Sequence, residues 1–202
     1  MALWLAGEPL VLASRSTARL ALLAAAGIAV EVLPADIDER SVEARASEGD
    51  AIAVAALLAR EKAIAVSAQK PGRLVLGADQ TLALGARRFS KPADRAAAQE
   101  QLKALRGNTH ALHAAVAVVR DGEVRFEYAD TAHLRARNFS EKFIEEYLDA
   151  AGDAVTASVG GYQLEKPGIQ LFERIEGDYF TILGLPLLPL LEFLRRERCL
   201  VE

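Results

Sequence analysis

Cysteine and histidine are scarce in this sequence. Of its 202 residues, one is a cysteine and three are histidines. The single cysteine, Cys199, cannot form an internal disulfide, and it excludes metal sites that need several thiolates. His110, His113 and His133 fall in strand-like segments, and His110 and His113 differ in parity, so they face opposite sides of a strand. We therefore expect neither a histidine-based zinc site nor a histidine-activated nucleophile.

Long apolar runs and an excess of positive charge are also missing. No apolar stretch reaches the roughly 18 residues of a membrane span, and residues 1–8 lack the basic leader of a signal peptide. The net charge of −4 opposes binding of a nucleic-acid polymer. With 51% hydrophobic and 26% charged residues, the composition is that of a globular protein. We expect one cytoplasmic domain over residues 1–202, with no membrane and no nucleic-acid polymer as partner.

Hydrophobic patterning predicts an α/β fold. A buried strand at 9–13, a helix at 18–25 and a strand at 28–33 open the chain. An acidic loop at 34–40 precedes a long helix at about 50–67. The remaining predicted elements are a strand at 74–78, a helix at 93–105 opened by Lys91-Pro92, a hairpin of strands 110–119 and 123–137, a helix at 140–150, a strand near 170–175 and a helix at 187–196.

The loop between the first strand and the first helix is a candidate phosphate site. Ser14, Arg15, Ser16, Thr17 and Arg19 lie there. Free backbone N–H groups and the helix dipole favour an anion at such a position, and arginines chelate phosphate oxygens. An ordinary capped helix with solvated arginines is the alternative. The segment is not a Walker loop, because it has no Gly-rich run that ends in Gly-Lys-Ser/Thr.

Carboxylates and lysines elsewhere match phosphate chemistry. Asp79 follows the apolar strand at 74–78, and Asp38 and Glu39 lie in the acidic loop. Carboxylates brought together bind Mg²⁺, with triphosphate oxygens completing its shell, and one of them can deprotonate a water. Lys62 and Lys91 can neutralise phosphate charge. Each of these residues, taken singly, is also compatible with a solvated surface position.

The order and spacing of these motifs resemble the Maf family of nucleoside triphosphate pyrophosphatases along nearly the whole chain. The matching pieces are Leu12-Ala13-Ser14-Arg15-Ser16-Thr17-Ala18-Arg19, Asp38-Glu39, Arg60-Glu61-Lys62-Ala63, Gly77-Ala78-Asp79-Gln80, Lys91-Pro92, Leu105-Arg106-Gly107-Asn108-Thr109-His110, Gly161-Tyr162, Ile175-Glu176-Gly177 and Gly184-Leu185-Pro186-Leu187.

The resemblance implies a fold, a reaction and a set of roles. The fold would be a Maf/ITPase-like α/β fold, with a mixed sheet flanked by helices and two lobes around a deep nucleotide-binding cleft, usually as a homodimer. The reaction would be hydrolysis of a nucleoside triphosphate to monophosphate and pyrophosphate with Mg²⁺ or Mn²⁺. Asp79 would be the general base and a metal ligand, with Glu39 as the second metal carboxylate. The residues that would hold the phosphates are Ser14, Arg19, Lys62 and Lys91.

Base preference within the family depends on two positions, occupied here by Gln80 and Glu165. This pair resembles the branch that acts on 7-methyl-GTP, whereas Asp-Thr and Gln characterise the dTTP/UTP branch. A carboxylate accepts both N1–H and N2–H of guanine and is attracted to the positive charge of the N7-methylated base. Ala18 departs from both branches, because the pyrimidine branch is expected to have Arg at this position and the 7-methyl-GTP branch Trp. Ser158 stands where the pyrimidine branch is expected to have Lys.

Two alternatives remain beside 7-methyl-GTP hydrolysis. The first is a dTTP/UTP or broad-specificity pyrophosphatase. The second belongs to another class: a nucleotide-binding regulator of septum formation with little turnover, a role to which the family is also linked. The presence of Asp79, Lys62, Lys91 and Glu39 argues for catalysis.

Overall fold

A mixed sheet forms the centre of the part of the chain that the structure describes, residues 3–46 and 50–201 of a computed structural model. Met1 and Ala2, the first two residues of the N-terminal segment 1–8 considered above, lie outside it. The strands are β1 (Leu10–Leu12), β2 (Val30–Val32), β3 (Val75–Leu84), β4 (Arg87–Phe89), β5 (Thr109–Arg120), β6 (Glu123–Ala136) and β7 (Phe172–Glu176). Their order is β2-β1-β3-β5-β6-β7, with β4 paired to β3. β1 is parallel to β2 and β3, and the other pairs are antiparallel.

Helices flank this sheet, which confirms the predicted α/β class. They are α1 (Thr17–Ala25), α2 (Glu39–Glu43), α3 (Ala51–Ser67), α4 (Arg95–Leu105), α5 (Glu141–Ala151), α6 (Ala154–Ala157), α7 (Tyr179–Ile182) and α8 (Leu187–Arg196). Side-chain oxygens cap the N-termini of α1, α3, α4 and α5: Ser16, Asp50, Asp94 and Ser140 each accept a backbone N–H three residues on. Such caps fix where a helix begins, because they satisfy donors that the helix leaves free. No helix within the described ranges is long and apolar enough to cross a membrane.

One face of the sheet is covered by α3, which lies unusually close to β3. A Cβ added to Gly77 would lie 2.0 Å from the Ala59 carbonyl oxygen and 3.0 Å from the Ala63 Cβ. Only glycine therefore allows this approach, and the facing residues of α3 are small as well. The odd-numbered residues of β3 point toward α3, since side chains alternate along a strand. Val75 accordingly packs in a hydrophobic cluster with Ala59 and Ala63.

The opposite face of the sheet carries two separate hydrophobic clusters. One gathers β1, α1 and α8 around residues such as Leu12, Leu23 and Leu194. The other gathers α4, α5 and the far ends of β5 and β6 around residues such as Leu82 and Leu148. The short helix α7 lies between them, because Ile182 belongs to the second cluster and the nearby Leu185 to the first.

The edge of β3 is open between these two clusters. β1 pairs with β3 only at Val75 and Leu76, and β4 pairs with it only from Leu82 to Leu84. Residues 77–81 therefore have β5 on one side and no strand on the other among the described residues. Backbone groups on an open edge need other partners, so this gap is where loops and side chains from elsewhere must converge.

Three sequence predictions need correction. The strand predicted at 74–78 runs on to Leu84, because its antiparallel pairing with β5 continues to Ala83, so Asp79 lies in mid-strand rather than at a strand end. The acidic loop predicted at 34–40 ends in a helix, since Asp38 caps α2 and Glu39 begins it. The helix predicted from 93 begins at Arg95, because Asp94 is the capping residue. β4 and α7 were not predicted; both are too short to carry a hydrophobic period.

Candidate active site

Lys62 is the centre of a charged cluster at the open edge of β3. Its Nζ lies 2.6 Å from Asp79 Oδ1 and 2.8 Å from Glu39 Oε1. The side chains of Lys62 and Asp79 are only 12% and 13% exposed, whereas that of Glu39 is 53% exposed. We call these three residues the Lys62 cluster. It brings together the predicted general base, a predicted phosphate lysine and the second predicted metal carboxylate.

Three local features of the sequence assemble this cluster. Gly77 lets α3 approach β3, so that Lys62 on α3 reaches Asp79 two residues further along the strand. Thr81, which points to the same face, donates a hydrogen bond from Oγ1 to the Ala51 carbonyl oxygen and fixes the start of α3 on the strand. Glu39 reaches Lys62 from the first turn of α2. Residues that are distant in sequence thus meet through one close helix–strand contact.

Asp38, the third predicted carboxylate, has a different role. Its Oδ2 accepts a hydrogen bond from Ser41 Oγ and its Oδ1 accepts one from the Ser41 N–H. These two bonds lower the pKa of Asp38 below its ordinary value. Asp38 is therefore the N-cap of α2 and serves to place Glu39. The Lys62 cluster contains two carboxylates, and no group of three or more His, Cys, Asp or Glu able to hold a metal occurs in residues 3–46 and 50–201.

Arg19 joins three segments at the open edge of β3. Its Nη1 donates to the Ala78 carbonyl oxygen at 2.8 Å and to Ser14 Oγ at 3.0 Å, and its Nε donates to the Gly184 carbonyl oxygen at 2.8 Å. Burial lowers the pKa of Arg19, and the charges of Asp79 and Glu39 act in the opposite direction. Because the guanidinium is the most basic side chain in proteins, it stays charged at neutral pH. Arg19 thus satisfies the Ala78 carbonyl oxygen on the open edge and links Gly184 to it.

The same contacts define the chemistry left to Arg19 and Ser14. Ser14 Oγ also accepts the Ser16 N–H, at 3.2 Å. Ser14 and Arg19, two of the predicted phosphate-binding residues, are therefore fixed relative to β3. None of the hydrogen bonds described uses Nη2 of Arg19. This nitrogen is the part of the side chain that can still donate to a phosphate oxygen.

Gln80 points to the face of β3 opposite the Lys62 cluster. Its Nε2 donates to the carbonyl oxygens of Thr181 at 3.0 Å and Ile182 at 2.9 Å. Both amide hydrogens are therefore used to hold α7 against the strand, and only Oε1 remains for a ligand. Thr181 is fully buried and donates in turn from Oγ1 to Asp130 Oδ2 at 2.7 Å. Gln80, predicted as a specificity residue, is thus also a structural link to α7.

The remaining predicted residues lie outside these contacts. Ala18 is half-buried in the first turn of α1, next to Arg19. Lys91 is exposed after β4, and Glu165 is exposed in the turn between two short 3₁₀ helices, Val159–Gly161 and Pro167–Leu171. Within the described residues, neither Lys91 nor Glu165 forms a hydrogen bond or ion pair. Their predicted roles stay predictions.

Several groups of the site were not assigned a role from sequence. The carbonyl oxygens of Ala78, Thr181, Ile182 and Gly184 bind Arg19 and Gln80. Backbone acceptors leave no trace in side-chain chemistry, so the only available signal was the motif Gly184-Leu185-Pro186-Leu187, which matched the family without an assigned function. Gly184 has a φ of +84°, in the left-handed region that favours glycine.

Comparison with known proteins identifies the family. A family model described as Maf-like protein matches residues 9–197. The chain belongs to the Maf family. A nucleoside triphosphate pyrophosphatase of Bradyrhizobium diazoefficiens is 59% identical over 198 residues, which cover 98% of each chain. A 7-methyl-GTP pyrophosphatase of Brucella abortus is 52% identical over 193 residues, which cover 95% of this chain and 97% of that one.

The range matched by the family model contains every site residue described above, from Ser14 to Gly184. Among solved structures, a HAM1 protein from Coxiella burnetii has a TM-score of 0.41 at 18% identity, over 64% of this chain and 73% of that chain. That likeness is too weak to compare the two sites.

Proposed function

We propose that this Maf protein hydrolyses a nucleoside triphosphate to a nucleoside monophosphate and pyrophosphate, with 7-methyl-GTP as the preferred substrate. The observation that carries the proposal is the Lys62 cluster at the open edge of β3, with Arg19 beside it. It combines cations for a triphosphate with a largely buried carboxylate for a water. The pyrophosphatase names of full-length relatives support the same reaction.

Asp79 is suited to act as the general base. Its Oδ1 is held by Lys62, and none of the hydrogen bonds of the described chain uses Oδ2. In the reaction, a water oxygen forms a bond to a phosphorus of the α–β anhydride, and its proton passes to the Asp79 carboxylate. The bridging P–O bond breaks, and its electron pair stays with the leaving phosphate oxygen. Lys62 and Arg19 stabilise the negative charge that grows on the phosphate oxygens.

The Lys62 cluster also has the donor set of a divalent cation site. Mg²⁺ is commonly held by one or two carboxylates together with substrate phosphates and waters, and Glu39 and Asp79 supply two carboxylates that converge on one point. We propose that these residues hold Mg²⁺ or Mn²⁺ once a nucleotide is bound. A cation there would neutralise phosphate charge. Lys62 would then contact phosphate oxygens in place of the carboxylates.

Base preference is proposed to depend on Glu165 and Gln80. They come from different parts of the fold, but Gln80 and Leu82 point to the same face of β3. Gly160, at the start of the segment that leads to Glu165, lies so close to Leu82 that an added Cβ would be 2.7 Å from Leu82 Cδ1. A carboxylate at 165 favours guanine and, above all, a positively charged methylated guanine. The name of the Brucella abortus relative agrees with this preference. A homodimeric state and a cytoplasmic location are further proposals, carried by the family resemblance and the composition.

The decisive experiment is pyrophosphate release by the purified protein with 7-methyl-GTP, GTP, UTP, dTTP, CTP and ATP, each with Mg²⁺, with Mn²⁺ and with excess EDTA. We expect kcat/KM for 7-methyl-GTP to exceed that for UTP and dTTP, and EDTA to abolish turnover. A preference for UTP and dTTP would retain the reaction and overturn the base assignment. Tight nucleotide binding with no turnover of any substrate would favour the regulator instead.

A substitution at Glu39 tests the proposed cation site separately. Glu39→Gln keeps the size of the side chain and removes one metal carboxylate, so we expect the Mg²⁺ concentration for half-maximal rate to rise severalfold. Glu43→Gln, in the same short helix but paired with Arg88, is the matched control. An unchanged Mg²⁺ requirement in Glu39→Gln would remove Glu39 from the cation site.

A further inference from the structure

Residues 160–165, which we call the specificity segment, begin with two glycines in left-handed conformations. Gly160 has a φ of +79° and Gly161 a φ of +73°. A Cβ on Gly160 would lie 2.7 Å from Leu82 Cδ1 and 2.7 Å from Tyr162 Cε1, so the backbone is pressed against β3 at a point where no side chain fits. The backbone at the start of this segment is thus restricted to one conformation by its close packing on β3. Glu165, at the other end, is exposed.

Three side chains from other elements hold the start of the segment. Gln101 Oε1 accepts the Gly160 N–H at 3.1 Å, and Tyr147 Oη donates to the Gly161 carbonyl oxygen at 3.1 Å. The third contact is the shortest: His110 Nε2 lies 2.7 Å from Tyr162 Oη. His110 and Tyr162 are 1% and 4% exposed, so this hydrogen bond is shielded from water.

His110 and Tyr162 have no role in the phosphate chemistry, yet both are polar groups placed deep in a hydrophobic cluster. The rings of His110 and Tyr162 both pack against Phe172 of β7. Burial lowers the pKa of His110 to about 4 and raises that of Tyr162, so both are neutral at physiological pH and the bond between them persists. Burying such groups is costly unless they bind each other, so the pair strongly favours one position of Tyr162.

We propose that His110 and Tyr162 form a positioning pair that holds the specificity segment, and through it Glu165, in the place required for base selection. The inference rests on the proposed function, because it assigns the pair to the selection of a base by Glu165. Neither residue contacts the reacting phosphates; they act through the backbone of residues 162–165. Loss of the pair should therefore weaken selection of the base much more than it slows the chemical step.

The experiment compares Tyr162→Phe with the unaltered protein. This variant keeps the ring and removes only the hydroxyl. We expect amide hydrogen exchange in residues 160–166 to become about five- to tenfold faster, as for the loss of one buried hydrogen bond. The ratio of kcat/KM between the best nucleotide and the next should fall by a similar factor. The fall should come from a higher KM for the best nucleotide, with kcat within about threefold.

A matched pair at position 110 separates the hydrogen bond from simple packing. Gln and Leu are similar in size, but only Gln can donate to or accept from the Tyr162 hydroxyl. His110→Gln should retain most of the selectivity, and His110→Leu should lose it as Tyr162→Phe does. Ser67→Ala is the control, because it removes one partly buried hydrogen bond, from Gly122 N–H to Ser67 Oγ, at the distant hairpin turn. It should change neither the exchange at 160–166 nor the selectivity.

The outcomes distinguish this inference from the proposed function. If Glu165→Gln reduces the selectivity of the unaltered enzyme and Tyr162→Phe does not, the positioning pair is overturned and the base assignment stands. Faster exchange at 160–166 with unchanged selectivity overturns it as well. If Glu165→Gln leaves the substrate ranking unchanged, the base assignment fails, and the positioning role for base selection fails with it.

Discussion

The Lys62 ammonium group lies 2.6 Å from the Asp79 carboxylate, and the two side chains are almost equally buried. Lys62 thereby holds the proposed general base at a fixed position on β3 while leaving its second oxygen to other partners. The proximity of Glu39 to the same nitrogen gives this lysine two anionic neighbours. When triphosphate oxygens enter, Lys62 can exchange its carboxylate partners for phosphate oxygens if a divalent cation takes over the charge of Glu39 and Asp79. This relationship leads to the first two predictions.

Asp79→Asn should lower kcat by on the order of 10² or more, because an amide cannot take a proton from water. The amide oxygen can still accept from Lys62, so nucleotide binding should survive. Pyrophosphate release measures kcat, and calorimetric titration with a non-hydrolysable triphosphate measures binding. Lost binding together with normal turnover of bound substrate would exclude the general-base role.

Lys62→Met should lower the free energy of unfolding by about 3 kcal/mol, because it leaves the Asp79 carboxylate buried without its counter-charge. The double variant with Asp79→Asn should recover at least half of that loss, since both charges are then gone. Urea denaturation measures each free energy. Lys103→Met removes a lysine from a more exposed pair with Glu100 and should cost under about 1 kcal/mol. An equal loss in both lysine variants would contradict the special role of Lys62.

Gln80→Glu tests the link between β3 and α7. The substitution keeps the shape of the side chain but places carboxylate oxygens against the carbonyl oxygens of Thr181 and Ile182. We expect the free energy of unfolding to fall by about 2 kcal/mol near neutral pH. Gln80→Met, which removes the hydrogen bonds without adding repulsion, should cost less. If the two variants are equally stable, Gln80 does not hold α7 by its amide.

Elements that depend on neighbouring residues were predicted correctly from the sequence, whereas features that depend on residues distant in the chain were not. Alternation along β6 and the capping residue Ser140 are local signals, and the strand and the helix that they predict are present. The mid-strand position of Asp79 was missed, because the continuation of β3 depends on its long pairing with β5 rather than on its own composition.

Long-range contacts of the site left a weaker signal in the sequence. Arg19 binds the carbonyl oxygen of Gly184, which is 165 residues away. A backbone acceptor has no residue type of its own, so neither periodicity nor charge could indicate this contact. The convergence of Lys62 and Asp79 likewise required the close approach at Gly77, which a single glycine in a strand does not by itself reveal. The motif resemblance supplied these residues without their geometry.

Glu165→Gln should lower the preference for 7-methyl-GTP over UTP by about tenfold or more, because an amide loses the charge that attracts the methylated base and one of two acceptors for guanine. Turnover of UTP should change little. The ratio of the two kcat/KM values is the measurement. Glu123→Gln, at an exposed glutamate of the hairpin end, is the control. A substrate ranking that is the same in Glu165→Gln and in the unaltered enzyme would show that base selection lies elsewhere.

His110 should make the folded protein sensitive to acid. Its pKa is lowered to about 4 by burial, with a smaller effect of the neighbouring His133, whereas an unfolded chain titrates near the ordinary value of about 6.5. Between these two values the unfolded chain binds a proton that the folded protein excludes. The free energy of unfolding must therefore fall as the pH falls through this window, by up to about 3 kcal/mol from this group.

His110→Gln should remove this contribution, since glutamine does not titrate. Urea denaturation at about pH 7 and about pH 4.5 gives the loss of stability for each protein, and other titrating groups contribute equally to both. We expect the loss to be smaller in His110→Gln by about 2 to 3 kcal/mol. Equal losses would mean that the folded protein accepts a proton at His110 readily, which a buried ring bound to the Tyr162 hydroxyl should resist. The same measurement therefore tests the solvent exclusion on which the positioning pair depends.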